Sequence, residues 1–268
     1  MPIDVAAVAV EALSSLTGSK QIEAFSRRFP DLGLDDAYRV TAQIRRHREA
    51  RGEVVVGRKI GFTNRVIWSE FGIDAPAWGY MYDQTVHRLA DLAGTFSLAR
   101  LQEPRIEPEV IFKLATAPTR GMDELALLGC VDWVAHGFEV VHSIFPAWKF
   151  SAPDAVIAFG LHGALLIGPT HRPRGGDWYE GLSNFEIDLV RNEIVVDRGH
   201  ARNVLGGPLS ALRHLVDLLS LDSTSPPLAA GEIITTGTLT RAMPIKPSER
   251  WATKLNAGAL FEPISILL

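Results

Sequence analysis

The feature that most limits how this chain can fold is the run Arg105-Ile106-Glu107-Pro108-Glu109-Val110-Ile111-Phe112, where two carboxylates interrupt an otherwise apolar, strand-like stretch. Side chains alternate along a strand, so Glu107 and Glu109 point to one face. Two like charges side by side on a half-buried face repel, and burying either without a partner is costly. A cation belongs between them. A third acid, Glu139, sits in a second apolar run, Val134-Ala135-His136-Gly137-Phe138-Glu139-Val140-Val141. Three carboxylates with no paired His or Cys make a hard oxygen site of the kind that suits Mg²⁺, Mn²⁺ or Ca²⁺. The same residues also fit the solvated face of an edge strand, where proline is tolerated.

The triplet resembles the 2-keto-4-pentenoate hydratase and 4-oxalocrotonate decarboxylase family, within the wider fumarylacetoacetate hydrolase-like group. That family carries an Arg-Ile-Glu-x-Glu stretch and a downstream Glu-Val-Val segment, and its three acids bind a divalent metal. Further matching segments are Gly57-Arg58-Lys59-Ile60-Gly61-Phe62-Thr63, Trp148-Lys149, Gly206-Gly207-Pro208-Leu209 and Ala230-Gly231-Glu232-Ile233-Ile234-Thr235-Thr236-Gly237-Thr238-Leu239. They fall in the family's order, from about Ala37 onward. The resemblance implies an α+β fold: a mixed, β-rich roll of the fumarylacetoacetate hydrolase C-terminal type with N-terminal helices outside it. It implies a lyase whose Mg²⁺, or Mn²⁺, is held by Glu107, Glu109 and Glu139. It also implies a homo-oligomer, working with a partner decarboxylase or hydratase of the same family.

Composition agrees with one large core and argues against other classes of function. The chain has 268 residues, 47% hydrophobic and 22% charged, with mean hydropathy +0.10. That is ordinary globular composition. It suggests an N-terminal helical segment (1–52) and a catalytic roll (53–268) integrated into one domain. Net charge is −4 and pI about 6.1, so no basic field invites nucleic acid. The single cysteine, Cys130, forbids an internal disulfide and points to the reducing cytoplasm. The N-terminus lacks the basic region of a signal peptide, and no uninterrupted apolar run reaches membrane length.

Along the chain, residues 4–16 read as an amphipathic helix, 20–28 as a short one, and Asp35 as the cap of a third. Val54 to Ile60 is a β-branched strand carrying Arg58 and Lys59, and Thr63 caps a short helix after it. Tyr80–Val86 reads as a short strand. Strand signals then dominate, at 105–114, 137–142, 160–167 and 185–196, the last turning at Arg191-Asn192. Pro208 opens a helix to about Leu219, a strand covers 232–236, and Asn256-Ala257-Gly258 turns a final hairpin. Strands and helices do not alternate regularly, which excludes a doubly wound parallel sheet.

At the family's lysine position, Lys59 balances the acids and holds an enolate, or moves a proton if its pKa is depressed. Asp83 is a candidate acid or base. Arg105 pairs with Glu107 or with a substrate carboxylate. Thr236 and Thr238 offer hydroxyls and backbone N–H groups to a carboxylate. One departure is marked. Where hydratases of this family read Ala-Asp-Asn-Ala-Ser, this chain has Ile157-Ala158-Phe159-Gly160-Leu161. Phe159 and Leu161 then make that pocket wall apolar and favour an alkyl or aryl tail, with His162 and Asp154 as polar substitutes nearby. The reaction implied is hydration of a 2-hydroxy-2,4-dienoate to a 4-hydroxy-2-oxo acid. Decarboxylation of a 2-oxo-3-enedioate at the same site is the alternative. Hydrolysis of an acylpyruvate C–C bond would need a His–acid pair, for which only His136 and His142, flanking Glu139, offer themselves. A metal-stabilised binding protein without turnover is the reading from a different class.

Overall fold

The computed structural model describes residues 3–18, 20–174, 177–256 and 260–268. Three helices open the chain: α1 (Val5–Thr17), α2 (Phe25–Arg28) and α3 (Leu34–Ala50). Asp4 caps α1, its side chain accepting from the Ala6 and Ala7 N–H groups. The helix read over 20–28 is confined to α2, and α3 begins at Gly33 with Asp35 in its first turn rather than at the cap. Acids in the first turn and His47 and Arg48 in the last complement the α3 dipole.

The main sheet follows. Its strands are β1 (Val55–Gly61), β2 (Ala77–Tyr82), β3 (Val86–Arg88), β4 (Arg105–Leu114), β5 (Val131–Val141), β6 (His162–His171), β9 (Ile233–Thr235) and β10 (Met243–Pro244). Their order is β2-β1-β9-β4-β5-β6-β3, with β10 beside β4. β1 runs parallel to β9 and β3 parallel to β6, while the other pairs are antiparallel. A second sheet, β12-β11-β7-β8, comprises β7 (Glu186–Arg191), β8 (Ile194–His200), β11 (Arg250–Leu255) and β12 (Ser265–Leu267). The expected turn near Arg191 holds, with Asn192 and Glu193 left-handed. The hairpin read at Asn256-Ala257-Gly258 falls partly outside the described residues.

Helices α4 (Trp68–Phe71), α5 (Glu124–Gly129), α6 (Ala152–Ile157), α7 (Asp177–Gly181) and α8 (Pro208–Leu221) complete the chain. Side chains of α1, α3, α6 and α8 join Val110, Phe112 and Val134 of the main sheet in one apolar cluster. Phe138, Val140 and Leu166 of that sheet meet Leu189, Trp251 and Ile266 of the second in another. The stretch Ala201–Leu221 is long and apolar enough by composition to cross a bilayer, but it is mostly buried in the fold.

Pro108 sits in a central strand, where proline is disfavoured because it donates no ladder hydrogen bond. The register explains it. β9 pairs with Ile111–Lys113 and β10 with Arg105 and Ile106, so the edge of β4 between them is left open. The loop after β9 crosses this gap, and the Leu239 N–H donates to the Pro108 carbonyl at 2.9 Å.

Candidate metal centre

The register brings the acids together. Glu107 of β4 lies directly opposite Glu139 of β5, and Glu109 opposite Gly137. Residues facing each other across strands share a face and approach closely, and like charges placed so are destabilising. Oxygens of Glu107, Glu109 and Glu139 all lie within 4.8 Å of one another. Glu109 and Glu139 are fully buried, and Glu107 is half-buried. Lys59 reaches the same face from two strands away: it pairs with Thr235, which pairs with Ile111, two residues along from Glu109. Its Nζ lies 3.2 Å from Glu139 Oε2 and donates to the Gly160 carbonyl at 2.9 Å.

The donor set fits a hard divalent cation. Glu109 Oε1 is buried without a hydrogen-bond partner, and Glu139 Oε2 has only the Lys59 ammonium at 3.2 Å, a condition that native interiors rarely leave uncompensated. Burial holds the Glu107 carboxyl up at about 7, with Glu139 adding to the rise against Lys59 and Arg105. Burial, Glu139 and Glu107 push Glu109 well up, and its hydrogen bond from the Gly237 N–H does not offset them. For Glu139, burial is outweighed by Lys59 and by the hydrogen bond from His162, so its carboxyl lies below the ordinary value. A cation binding these oxygens takes the place of the protons that burial otherwise forces on.

Other residues hold the triad in place. His162 Nδ1 is 2.7 Å from Glu139 Oε1, and its Nε2 is 2.9 Å from Thr85 Oγ1. Gly237 N–H donates to Glu109 Oε2 at 2.8 Å. At φ +94°, with a Cβ that would fall 2.0 Å from Thr63 Oγ1, position 237 requires glycine. Sequence reasoning placed His162 near the pocket wall as a polar substitute, not behind Glu139, and gave Gly160 and Gly237 no role of their own. Their partners come from distant strands, and no spacing reveals them.

The acids lie at the inner end of a cleft of about 200 Å³. Its lining includes Lys59, Thr63, Glu107, Glu109, Gly160, Leu161, Gly237 and Thr238, and outward Phe62, Ile67, Phe71, Trp148 and Phe150. Several expected residues are elsewhere. Asp83 is exposed, its Oδ1 accepting from the Val54 N–H, and it does not line the cleft. The Phe159 ring turns away and packs edge-on to Tyr80 and Tyr82, because Phe159, Gly160 and Leu161 are all left-handed and the backbone reverses there. Ile157 is core. Leu161 does face the cleft.

Thr236 is fully buried and donates to the Val110 carbonyl, so its hydroxyl is structural. Arg105 forms no ion pair with Glu107 among the described contacts; its guanidinium lies 4.0 Å over the Trp148 ring. Asp154 is buried, accepting from the backbone and hydroxyl of both Ser26 and Ser151. His136 bonds Thr253 and the Glu109 carbonyl, and His142 bonds Gln102. The one His–acid pair at the triad, His162–Glu139, faces a second cavity behind the wall. It is not placed to activate water in the cleft. Burial would lower the Lys59 pKa, but with no cation on the acids Glu139, Glu107 and Glu109 together raise it, so in the metal-free site the lysine stays charged.

No protein-family profile matches the chain. Individual relatives do. It is 31% identical to 2-keto-4-pentenoate hydratase of Paraburkholderia xenovorans (strain LB400) over 244 residues, 90% of this chain and 87% of that one. It is 30% identical to a 4-oxalocrotonate decarboxylase of Pseudomonas sp. over 224 residues, 81% of this chain and 84% of the relative. Among solved structures, 4-oxalocrotonate decarboxylase from Pseudomonas putida G7, complexed with magnesium and adipate, superposes with a TM-score of 0.89 at 25% identity. That match covers 98% of this chain and 96% of the other. At 30% identity or more over most of both chains, and with the same fold as the decarboxylase, the chain belongs to the 2-keto-4-pentenoate hydratase and 4-oxalocrotonate decarboxylase family.

Proposed function

We propose that the protein is a metal-dependent hydro-lyase that adds water to 2-hydroxy-2,4-dienoates, giving 4-hydroxy-2-oxo acids in the breakdown of aromatic compounds. The observation that carries this reading is the convergence of Glu107, Glu109, Glu139 and Lys59 at a largely apolar cleft, which Lys59, Glu107 and Glu109 line directly. A divalent cation held by the three glutamates, Mg²⁺ or Mn²⁺, supplies Lewis acidity to the 2-oxygen of the substrate. The Lys59 ammonium, anchored by the Gly160 carbonyl and Glu139, holds the negative charge that develops on the enolate. Thr238, half-buried in the lining, offers its backbone N–H to the substrate carboxylate, its hydroxyl already donating to the Thr240 carbonyl at 2.9 Å.

In the reaction the 2-hydroxyl proton is lost and a proton is gained at C5, giving a 2-oxo-3-enoate. Water then adds its hydroxyl to C4 and a proton to C3. The aromatic lining keeps other water away from the reacting carbons. The second reading is decarboxylation of a 2-oxo-3-enedioate, favoured by the close superposition on a decarboxylase. The cleft favours hydration, because Lys59 is the only cation among the described lining residues, so a second carboxylate would find neutral donors such as Asn64 but no counter-charge of its own. A small oxo or hydroxydienoic acid is thus the partner. A homo-oligomer, a partner decarboxylase of the same family and a cytoplasmic setting belong to the same proposal.

The test is ultraviolet absorbance and product analysis with 2-hydroxypentadienoate and oxalocrotonate, with and without metal. Metal-dependent loss of dienol absorbance with incorporation of labelled water is expected. Carbon dioxide release without water incorporation would install the decarboxylase reading, and inert mixtures would overturn both.

A further inference from the structure

The two ends of the cleft differ in chemistry. All its charges, Lys59, Glu107 and Glu109, sit at the inner end. The mouth is a continuous run of aromatic rings. Phe62 lies 4.9 Å from Phe71, Phe71 stacks at 5.9 Å on Phe150, and Phe150 lies 6.1 Å from Trp148. All four are half-exposed, as is Ile67 beside them. An apolar patch left in water at the mouth of a site marks where a ligand or partner is received. Here it is continuous with the lining that runs inward past Leu161, Val141 and Ala155. Phe62 stays in the wall because Trp68 Nε1 donates to its carbonyl, and Trp148 because its own Nε1 donates to the Glu103 carbonyl. These two bonds anchor the rim at Phe62 and Trp148.

We propose that this site selects 2-hydroxydienoates whose far end carries an aryl or extended alkyl group over those ending in methyl or in a second carboxylate. The inference rests on the hydratase reading and adds the substrate class. A substrate anchored by its carboxylate and 2-oxygen at the inner end directs its far end at the rings. An aryl group gains offset or edge-on contacts there. A methyl group falls short of the rim. A carboxylate loses its water and meets no cation. Arg105 is outside the lining and its guanidinium lies over the Trp148 ring, and Arg65, between the lining residues Asn64 and Ile67, is likewise outside it.

The test is steady-state kinetics on the metal-loaded protein with three 2-hydroxydienoates ending in phenyl, methyl and carboxylate. Pocket contacts of this size discriminate by roughly 10–200-fold, so kcat/KM is expected to fall by about 10-fold or more from phenyl to methyl, with carboxylate lowest. Phe71→Ser should lower kcat/KM for the phenyl compound about 10-fold more than for the methyl one. Ile67→Arg, on an exposed turn, should raise the carboxylate compound relative to phenyl. A carboxylate compound turned over as well as the phenyl one overturns the proposal and places Arg105 in the site. Unchanged preference in Phe71→Ser with an altered oligomeric state overturns it as well, and makes the rim a subunit contact. If none of the three turns over, the hydratase reading fails. Calorimetric affinities of the same compounds then decide the tail: phenyl tightest upholds the preference, and carboxylate as tight or tighter refutes it.

Discussion

Glu139 has two neighbours that decide its charge, Lys59 Nζ and His162 Nδ1, and each acts differently. Lys59 lines the cleft and faces substrate; His162 stands behind and orients the carboxylate. Supporting hydrogen bonds of the second kind are typically worth about 10–100-fold in metal affinity. His162→Leu should therefore weaken Mn²⁺ binding by about that factor, measured by calorimetry, while Lys59→Met leaves the metal bound. Lys59→Met should instead cut kcat by about 100-fold or more, the usual cost of removing a charge aimed at a developing oxyanion. A near-normal rate in that variant would return Lys59 to a structural role. The acids and the lysine were legible in the sequence because strand alternation and the family pattern mark them. His162, Gly160 and Gly237 were not, since each acts through a contact set by tertiary register. Asp83 misled for the related reason that a strand-end acid looks alike whether it faces a site or caps the Val54 N–H.

At the scale of elements, the segment Ala152–Leu161 ties the N-terminal helices to the site. Asp154 in α6 is clamped to Ser26 of α2 and to Ser151, and the chain then reverses through three left-handed residues to present the Gly160 carbonyl to Lys59. Asp154→Ala leaves those donors without their acceptor, at about 1–3 kcal/mol for each that stays unpaired, so the thermal midpoint should fall clearly. An unchanged midpoint would show that the clamp carries no stability. Gly160→Ala places a Cβ 2.7 Å from Lys59 Cδ at φ +64°. It should lower kcat with little change in metal affinity, because it moves the lysine and not the acids.

The strand pattern of this half of the chain was readable from β-branched and apolar runs. The reversal at 159–161 was not, since two of its three residues are bulky and disfavour that conformation. Placing Phe159 by its match to the family's Ala-Asp-Asn-Ala-Ser segment therefore wrongly put its ring in the pocket wall. The apolar wall exists, but Phe62 after β1, Phe71 at the end of α4, and Trp148 and Phe150 before α6 build it from three separate segments.

Across the whole molecule, the N-terminal helices and the two sheets share their apolar clusters, so stability should respond to buried polar groups throughout. His142, hydrogen-bonded to Gln102, is held neutral by burial, its pKa lowered from 6.5 to about 4. The unfolded chain binds this proton first, so stability should decline as pH falls below 6.5 and the loss should be complete near 4. A shift of that size corresponds to at most roughly 3 kcal/mol. Denaturant titrations of wild type and His142→Asn, which keeps a donor for Gln102, should diverge across this window, the wild type losing more as pH falls, while His136, also lowered to about 4 by burial, contributes equally to both. An equal decline in the variant would assign the effect to other groups.

The measurement closest to the centre of the metal reading is calorimetric titration of Mn²⁺ into metal-stripped protein, wild type and the variants Glu107→Gln, Glu109→Gln and Glu139→Gln, with folding checked by circular dichroism. Each glutamine substitution should leave the fold intact and weaken binding beyond the roughly 10–100-fold expected for losing a supporting partner alone. Wild-type affinity retained in the folded Glu107→Gln and Glu139→Gln proteins would contradict the assignment of the three glutamates as the metal site.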